Sequence, residues 1–214
     1  MATRQSEFGE QYFACRIGER ETPRINAEHE LILKLMPPRA DEKVLDVGCG
    51  KGRLGYFLLK QQPDIKMVFS DVSAEAKKYL QNQTFVECSM ASMPFPDESF
   101  DKIFCLHVLA HFKEGEQGIR EAFRILKKGG KLMIITPNRY YVYLSWIMTA
   151  IKKTQSGKRF KYDSTARWLY SKGRLQQQLN TCAWFSVDYL YFESAPRLLS
   201  FEWLRAKIVA VATK

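Results

Sequence analysis

Three glycines at alternate positions, Gly48, Gly50 and Gly52, follow a short apolar run that contains Asp46. Glycines let a chain turn sharply off a strand and let a ligand approach the backbone closely. A pyrophosphate at such a turn binds to bare amides at a helix N-terminus, and a nearby carboxylate opposes that binding. Asp46 therefore favours a ligand that carries an ammonium or sulfonium charge.

Asp71 is the second carboxylate that could bind this ligand. It follows the next apolar run, 71 − 50 = 21 residues after the middle glycine. A carboxylate at this spacing can accept hydrogen bonds from both hydroxyls of a ribose, whether in a nicotinamide dinucleotide or in a nucleoside thioether. Gly50, Gly52 and Gly55 also match the dinucleotide pattern G-x-G-x-x-G. Asp71 could instead cap the helix that is predicted to follow it.

Apolar periodicity predicts the strands and helices that would position these residues. Strand-like runs cover 43–47, 66–70, 84–88, 101–106 and 131–136, and helical spacing covers 25–36, 54–59, 74–80 and 116–127. We expect Ser73 to cap the third helix and Gly129-Gly130 to close the fourth. Strands that alternate with helices require a mainly parallel sheet covered on both faces, so the fold class is α/β. Two further runs, 184–192 and 206–212, predict an antiparallel finish to the sheet.

Composition limits the function classes. The chain has 214 residues, of which 46% are hydrophobic and 26% charged, as in ordinary globular domains. Its five cysteines are odd in number and include no C-x-x-C pair, which argues against disulfides or a zinc site and favours a cytoplasmic protein. No signal peptide and no membrane span are predicted. Motifs of P-loop NTPases, serine hydrolases and zinc proteases do not occur.

A basic and aromatic segment spans residues 137–174. It holds nine Lys or Arg against one acid, so 9 − 1 = +8 of the formal charge of +10 lies here. We expect an insertion over the carboxyl ends of the strands, where open α/β sheets bind ligands. Residues 140–151 predict a helix that is apolar nearly all round, and an oily acceptor, a membrane interface or another subunit would each cover it. Basic residues interleaved with aromatic ones are also typical of a nucleic-acid interface.

The order of four sequence blocks carries a family resemblance. VLDVGCGKG at 44–52 is followed by FSDVS at 69–73, MPFPDESFD at 93–101 and LKKGGKL at 126–132. From about residue 40 to 137 this order resembles class I S-adenosylmethionine-dependent methyltransferases, especially those that methylate quinone precursors, lipids and other small molecules. The resemblance implies a Rossmann-like, mostly parallel seven-stranded sheet with an antiparallel final strand. Helices on both faces would complete a three-layer sandwich, with the cofactor along the carboxyl ends of the first strands.

The resemblance also implies individual contacts with S-adenosylmethionine. They are Gly48, Gly50 and Gly52 for the methionine part, Asp71 for the ribose hydroxyls and Val72 for the adenine face, with Asp46, Cys49 and Leu106 beside them. The family usually has an Asp four positions before the Met93 block, where it holds the adenine amino group. Here that position is Ser89. Either Ser89 makes a weaker hydrogen bond, or the backbone of Met90 does most of the recognition.

Catalysis by such an enzyme rests mainly on placement, because in-line displacement from a sulfonium releases a neutral thioether. A base is needed only when the acceptor is a hydroxyl or a protonated amine. His107 is the candidate base, with Tyr140 or Tyr141 as alternatives. His107 either lines the site or is structural, and His111 is expected to be a packed, helix-capping residue. The i, i+4 spacing of these histidines lacks a third ligand, so no metal site is predicted.

We therefore expect one methyltransferase domain over 1–214. Its parts are a helical lead (1–40), a cofactor-binding core (41–136), the basic insertion (137–174) and a C-terminal helix and strands (175–214). It would methylate an O, N or S atom of a small, partly apolar acceptor and release S-adenosylhomocysteine, with membrane or lipid contact through 140–153. The alternatives are an RNA methyltransferase that uses 137–174 and a non-catalytic cofactor-binding scaffold.

Overall fold

A seven-stranded sheet organises the chain, and the computed structural model describes it over residues 23–152, 167–192 and 205–214. Its strands are β1 (Lys43–Val47), β2 (Lys66–Asp71), β3 (Thr84–Glu87), β4 (Phe100–Leu106), β5 (Leu126–Pro137), β6 (Ser186–Phe192) and β7 (Lys207–Thr213). The α-helices are α1 (Pro23–Leu35), α2 (Arg53–Gln61), α3 (Gly115–Ile125), α4 (Arg139–Lys152) and α5 (Lys172–Leu179). Short 3-10 helices cover Ala74–Tyr79 and Leu109–His111.

The strand order is β3-β2-β1-β4-β5-β7-β6. β1 lies between β2 and β4 and pairs in parallel with both. β7 is antiparallel to both β5 and β6, so it is the strand that reverses direction. The prediction of a mostly parallel α/β sheet with an antiparallel final strand is confirmed. The carboxyl ends of β1, β2 and β4 meet at one edge because they run in the same direction.

Two apolar layers cover the sheet. On one face, side chains such as Leu45 and Ile134 pack with Ile119 of α3 and Leu175 of α5. On the other face, alternate side chains of the same strands, together with Phe69, pack against α1 and α2. The three-layer arrangement is confirmed. Because β1 is covered on both faces, its residues are buried from Val44 to Val47, and a carboxylate within it is placed in an apolar environment.

Two local predictions were wrong. Gly129-Gly130 do not close the helix before them, because α3 already ends at Ile125 and the glycines lie within β5. The pairing of β5 with β4 is irregular there, and the Gly129 amide, at φ +76°, donates to the carbonyl of Lys214 at 2.7 Å. Ser73 stands before the next helix as expected, but its side chain makes no capping bond and that helix is a 3-10 helix.

Several predictions fall wholly or partly outside the described residues. These are the segment 153–166 of the basic insertion, the connection 193–204 between the last two predicted strands and the residues before 23. The leading helix runs from Pro23 to Leu35 rather than over 25–36, and α4 confirms the helix predicted in the insertion. Within the described ranges, no helix is long and apolar enough to cross a bilayer.

Candidate active site

The three glycines after β1 adopt the left-handed backbone region, with φ of +66° at Gly48, +53° at Gly50 and +74° at Gly52. At two of them a side chain would also clash. A Cβ on Gly48 would lie 2.4 Å from Val108 Cγ2, and one on Gly52 would lie 2.4 Å from Leu80 Cδ2. At Gly50 a Cβ would meet no atom within 4 Å. The outer glycines thus allow close packing, while Gly50 faces open space that a ligand can approach.

Asp71 connects the end of β2 to this glycine turn. Its Oδ2 accepts a hydrogen bond from the Gly50 amide at 2.9 Å, and its Oδ1 accepts one from the Ser73 amide at 3.0 Å. Burial raises the pKa of the carboxyl, and the amide bonds from Ser73 and Gly50 oppose that rise. Each carboxylate oxygen has a second lone pair, so both can accept a further bond. The predicted contact with two ribose hydroxyls fits this geometry and stays a prediction.

Asp46 lies in β1 with 3% of its surface exposed. Its Oδ2 is buried and has no hydrogen-bond partner among the described residues. Burial, with a smaller contribution from the charge of Asp71, raises the pKa of Asp46 to about 7, although the Gly55 amide opposes the rise. A buried acceptor without a donor is costly, and a cation or donor nearby would relieve that cost. This observation fits the predicted preference for a positively charged ligand.

The other predicted cofactor residues differ in their surroundings. Cys49 is buried in the apolar layer beside α2, and burial together with Asp46 raises the pKa of its thiol, so the thiol is not a nucleophile at neutral pH. Val72 and Leu106 are half-buried at the ends of β2 and β4. Leu106 packs against the apolar layer under α1 and α2.

Ser89 and Met90 lie in the loop after β3. Ser89 Oγ accepts a bond from the Ala91 amide at 3.2 Å, so this hydroxyl shapes its own loop. The Met90 side chain is buried, and its sulfur lies 3.7 Å from Cys105 Sγ. A role for either residue at the adenine stays a prediction.

His107 follows β4 directly and is held in an unusual backbone conformation. Its φ is +62°, which costs a non-glycine residue about 1 kcal/mol or more. Its amide donates to the Ile135 carbonyl at 2.7 Å, which fixes it beside β5. Its Nε2 lies 3.0 Å from Glu28 Oε1. With 37% of its side chain exposed, the imidazole is reachable from solvent or from a ligand.

Glu28 and Lys207 complete this cluster, and the sequence prediction missed both. Lys207 Nζ donates to the same Oε1 of Glu28 that faces His107. Burial alone would raise the pKa of Glu28, but His107 and Lys207 lower it to about 2. The sequence did contain a signal for Glu28, because it shares a helix face with Ile32 and Met36 at i, i+4 and i+8, where an acid is out of place. Lys207 carried no comparable signal.

Tyr140 and Tyr141 lie in the first turn of α4, just beyond the end of β5. Tyr140 is 45% exposed and Tyr141 is half-buried. The Arg139 guanidinium lies 5.9 Å from the Tyr140 ring and 5.6 Å from the Tyr143 ring. A catalytic role for either Tyr140 or Tyr141 stays a prediction. In the described part of the chain, no group of three or more His, Cys, Asp or Glu could hold a metal ion.

The chain is similar to methyltransferases in sequence. Residues 45–134 match a family model described as a methyltransferase domain. A demethylmenaquinone methyltransferase from Thermotoga maritima is 33% identical over 110 residues, 50% of this chain and 46% of the relative. One from Chlorobaculum tepidum is 31% identical over 143 residues, 61% of this chain and 59% of the relative. The chain thus spans about half the length of the curated relatives it matches.

The fold is also similar to solved structures. A structure from Thermotoga maritima, described as a SAM-dependent methyltransferase and possible histamine N-methyltransferase, superimposes with a TM-score of 0.70. The match covers 97% of both chains at 21% identity. At this identity the match establishes the fold alone. The sequence matches in turn cover the segment that holds the glycine turn, Asp71 and His107.

The buried Asp46 makes a pH dependence testable with Asp46→Asn. Because folding raises its pKa from about 3.9 to about 7, the group stabilises the fold below pH 4, and that stabilisation is lost as the pH rises through 7. We expect Asp46→Asn to increase the free energy of unfolding relative to wild type, by up to about 4 kcal/mol at pH 8 and much less at pH 4. Urea unfolding at several pH values measures the difference. Exposed Asp188→Asn is the control, and a pH-independent gain in Asp46→Asn would contradict the assignment.

Proposed function

We propose that this chain, whose residues 45–134 match a methyltransferase-domain family model, is a class I S-adenosylmethionine-dependent methyltransferase that transfers a methyl group to an O, N or S atom of a small, partly apolar acceptor. One observation carries the proposal. Asp71, Gly50 and the unpartnered Oδ2 of Asp46 converge where β1 and β2 end, inside the segment that matches the family. This arrangement suits a nucleoside that carries a positive charge.

S-adenosylmethionine fits the residues present. The side of Gly50 on which a Cβ would point is open, and Asp71 retains acceptor capacity on both oxygens. The unpartnered Oδ2 of Asp46 is a buried acceptor two residues before the glycine turn. When bound, the cofactor supplies a methyl group on a sulfonium, whose departure as a neutral thioether needs no acid. The remaining task of the protein is to orient the two reactants, which can lower the activation free energy by about 7–11 kcal/mol.

His107 is the residue that we assign to proton removal from a hydroxyl or ammonium acceptor. It follows β4, the neighbour of β1, and Val108 beside it contacts the glycine turn. Its ring is partly exposed and fixed by Glu28. Tyr140 and Tyr141 remain the alternatives, since both lie just beyond the end of β5. A thiolate, a neutral amine or another acceptor without an acidic proton would need no base.

The acceptor side is proposed to include α4. Among the side chains of this helix that the structure describes, the exposed large apolar ones are Tyr140, Tyr143, Trp146 and Ile147, with 41% to 57% of their surfaces accessible. Two relatives carry names that place their acceptor among quinone precursors, which agrees with an apolar acceptor here. The segment 137–174 also carries 9 − 1 = +8 charges, so we assign α4 a contact with an anionic lipid surface from which such an acceptor could be taken.

Cofactor binding is tested with Asp71→Asn. The asparagine keeps one acceptor oxygen but places an NH2 where a second hydroxyl would donate, so we expect the Kd for S-adenosylmethionine to rise about 10- to 100-fold. Isothermal titration of the full chain measures it, with circular dichroism as the check on folding. Asp64→Asn, at an exposed position before β2, should bind as wild type does. Equal affinity of Asp71→Asn and wild type for S-adenosylmethionine would show that Asp71 does not bind the cofactor.

The reaction and its base are tested together. An acceptor screen scored on S-adenosylhomocysteine release should find a substrate among small apolar phenols, quinols, amines and thiols. For a hydroxyl acceptor we expect His107→Gln to lower kcat about 10²- to 10⁴-fold and to leave the Kd of the cofactor unchanged. His29→Gln, whose ring stacks on Phe57 instead, is the control. Full activity of His107→Gln would contradict the assignment of His107 as the base. A product methylated at carbon would contradict the proposal that an O, N or S atom is methylated.

The lipid contact is tested by sedimentation with vesicles. We expect binding to phosphatidylglycerol vesicles, weaker binding to phosphatidylcholine vesicles, and a loss of binding in Trp146→Ser/Ile147→Ser, because apolar insertion and charge attraction both contribute. Phe185→Ser removes an exposed ring at a distant position, 89% accessible, and should not change binding. Salt-sensitive binding to mixed tRNA with no binding to vesicles would instead support the nucleic-acid alternative.

A further inference from the structure

The cluster of Glu28, His107 and Lys207 joins three parts of the chain that are far apart in sequence. Glu28 comes from α1, 79 residues before His107, and Lys207 begins β7, 179 residues after Glu28. Both partners reach the same oxygen, Oε1 of Glu28. The Glu28 side chain is only 10% exposed, and a carboxylate in so dry an environment is kept ionised by charged or hydrogen-bonded partners.

The protonation of the Glu28 carboxyl decides which imidazole nitrogen carries hydrogen. His107 and Lys207 lower the pKa of Glu28 to about 2 against the effect of burial, so the group is ionised at neutral pH. An ionised carboxylate has no hydrogen to donate. The contact of 3.0 Å between Nε2 and Oε1 is therefore a bond that Nε2–H donates. In the neutral ring, hydrogen on Nε2 leaves the lone pair on Nδ1.

We propose that Glu28 is a positioning residue for His107, holding its ring with hydrogen on Nε2 so that Nδ1 is the atom that accepts the acceptor's proton. The inference rests on the proposed function for its catalytic consequence, but the tautomer itself does not depend on turnover. In the step, the proton leaves the acceptor hydroxyl and binds to Nδ1. Nε2–H goes on donating to Glu28, whose negative charge stabilises the imidazolium.

Two other features support a positioning role. The backbone of His107 is held at φ +62° by the amide bond to the Ile135 carbonyl, so the ring cannot reorient by a simple change of its own backbone. Lys207 pairs with Pro137 in the register of β5 and β7, immediately before α4 begins. Glu28 therefore connects the histidine to the strand end from which the proposed acceptor helix starts. A carboxylate that served only to neutralise Lys207 would not need to contact the imidazole.

The experiment is nitrogen-15 NMR of the full, unliganded chain, in which His107 is one of three histidines and is assigned by loss of its signals in His107→Gln. At a pH where the ring is neutral we expect wild type to show hydrogen on Nε2. Glu28→Gln, whose amide can either donate or accept, should show a mixture of both tautomers. Glu30→Gln, at an exposed position on the same helix, should keep the wild-type pattern.

Kinetics supply the second measurement. With a hydroxyl acceptor we expect Glu28→Gln to lower kcat about tenfold without changing the Kd of S-adenosylmethionine. Glu28→Asp should recover part of the rate.

The outcomes separate the possible failures. If Glu28→Gln folds poorly because Lys207 is left without its carboxylate, Glu28→Gln/Lys207→Met should recover stability while the tautomer stays mixed. Hydrogen on Nδ1 in wild type would overturn the positioning role. An unchanged tautomer in both Glu28→Gln and Glu28→Gln/Lys207→Met would overturn it as well. A fully active His107→Gln with the tautomer result intact would instead overturn the proposed base and leave the role of Glu28 in orienting the ring standing.

Discussion

The hydrogen bonds accepted by the Asp71 carboxylate hold together the two loops on which the candidate site depends. One oxygen accepts from the Gly50 amide and the other from the Ser73 amide, so a single side chain joins the loop after β1 to the loop after β2. Both loops begin where paired strands end, and the parallel register of Val47 with Ser70 brings them to the same edge. The left-handed glycines let the first loop approach closely enough for this bond. Without that carboxylate, two donated amides would lose their acceptor.

Two carboxylates, Asp46 and Asp71, stand close together in a chain with a formal charge of +10. Burial raises the pKa of each, and their mutual repulsion adds to the rise for Asp46. The edge where β1 and β2 end thus holds two acidic groups, while the basic residues are concentrated in 137–174. A separation of this kind can favour a cationic ligand at one place and an anionic surface at another, without one requirement opposing the other.

The sequence predicted most of the central sheet because the relevant signals are local. Each buried parallel strand reads as a short apolar run, and the glycines and Asp71 follow their strands at fixed spacing. The predictions that failed depend on where the rest of the chain places a residue, which its type alone does not show. Gly129-Gly130 would suit a helix terminus, but α3 ends at Ile125 and β5 already includes them. Ser73 has the right residue type for a cap, but no side-chain capping bond forms at the short helix after it.

Glu28 was missed for a different reason. Its partners are brought to it only by the tertiary fold, from the end of β4 and the start of β7, so no pattern within a window of the sequence could name them. What the sequence did show was an acid on the apolar face of α1. Such an exception indicates that a partner exists without indicating which residue it is. The Glu28 cluster therefore required the three-dimensional structure, whereas the glycine turn and Asp71 could be located in the sequence beforehand.

The position of β7 within the sheet has a consequence for the order in which the molecule can assemble. β7 lies between β5 and β6, although both are synthesised before it. Until residues 207–213 leave the ribosome, neither strand has this neighbour, and the contact between Glu28 and Lys207 cannot form. The strands that carry the glycine turn and Asp71 do not pair with β7, so this part of the sheet can form during translation, whereas the other part is completed only when β7 inserts between β5 and β6.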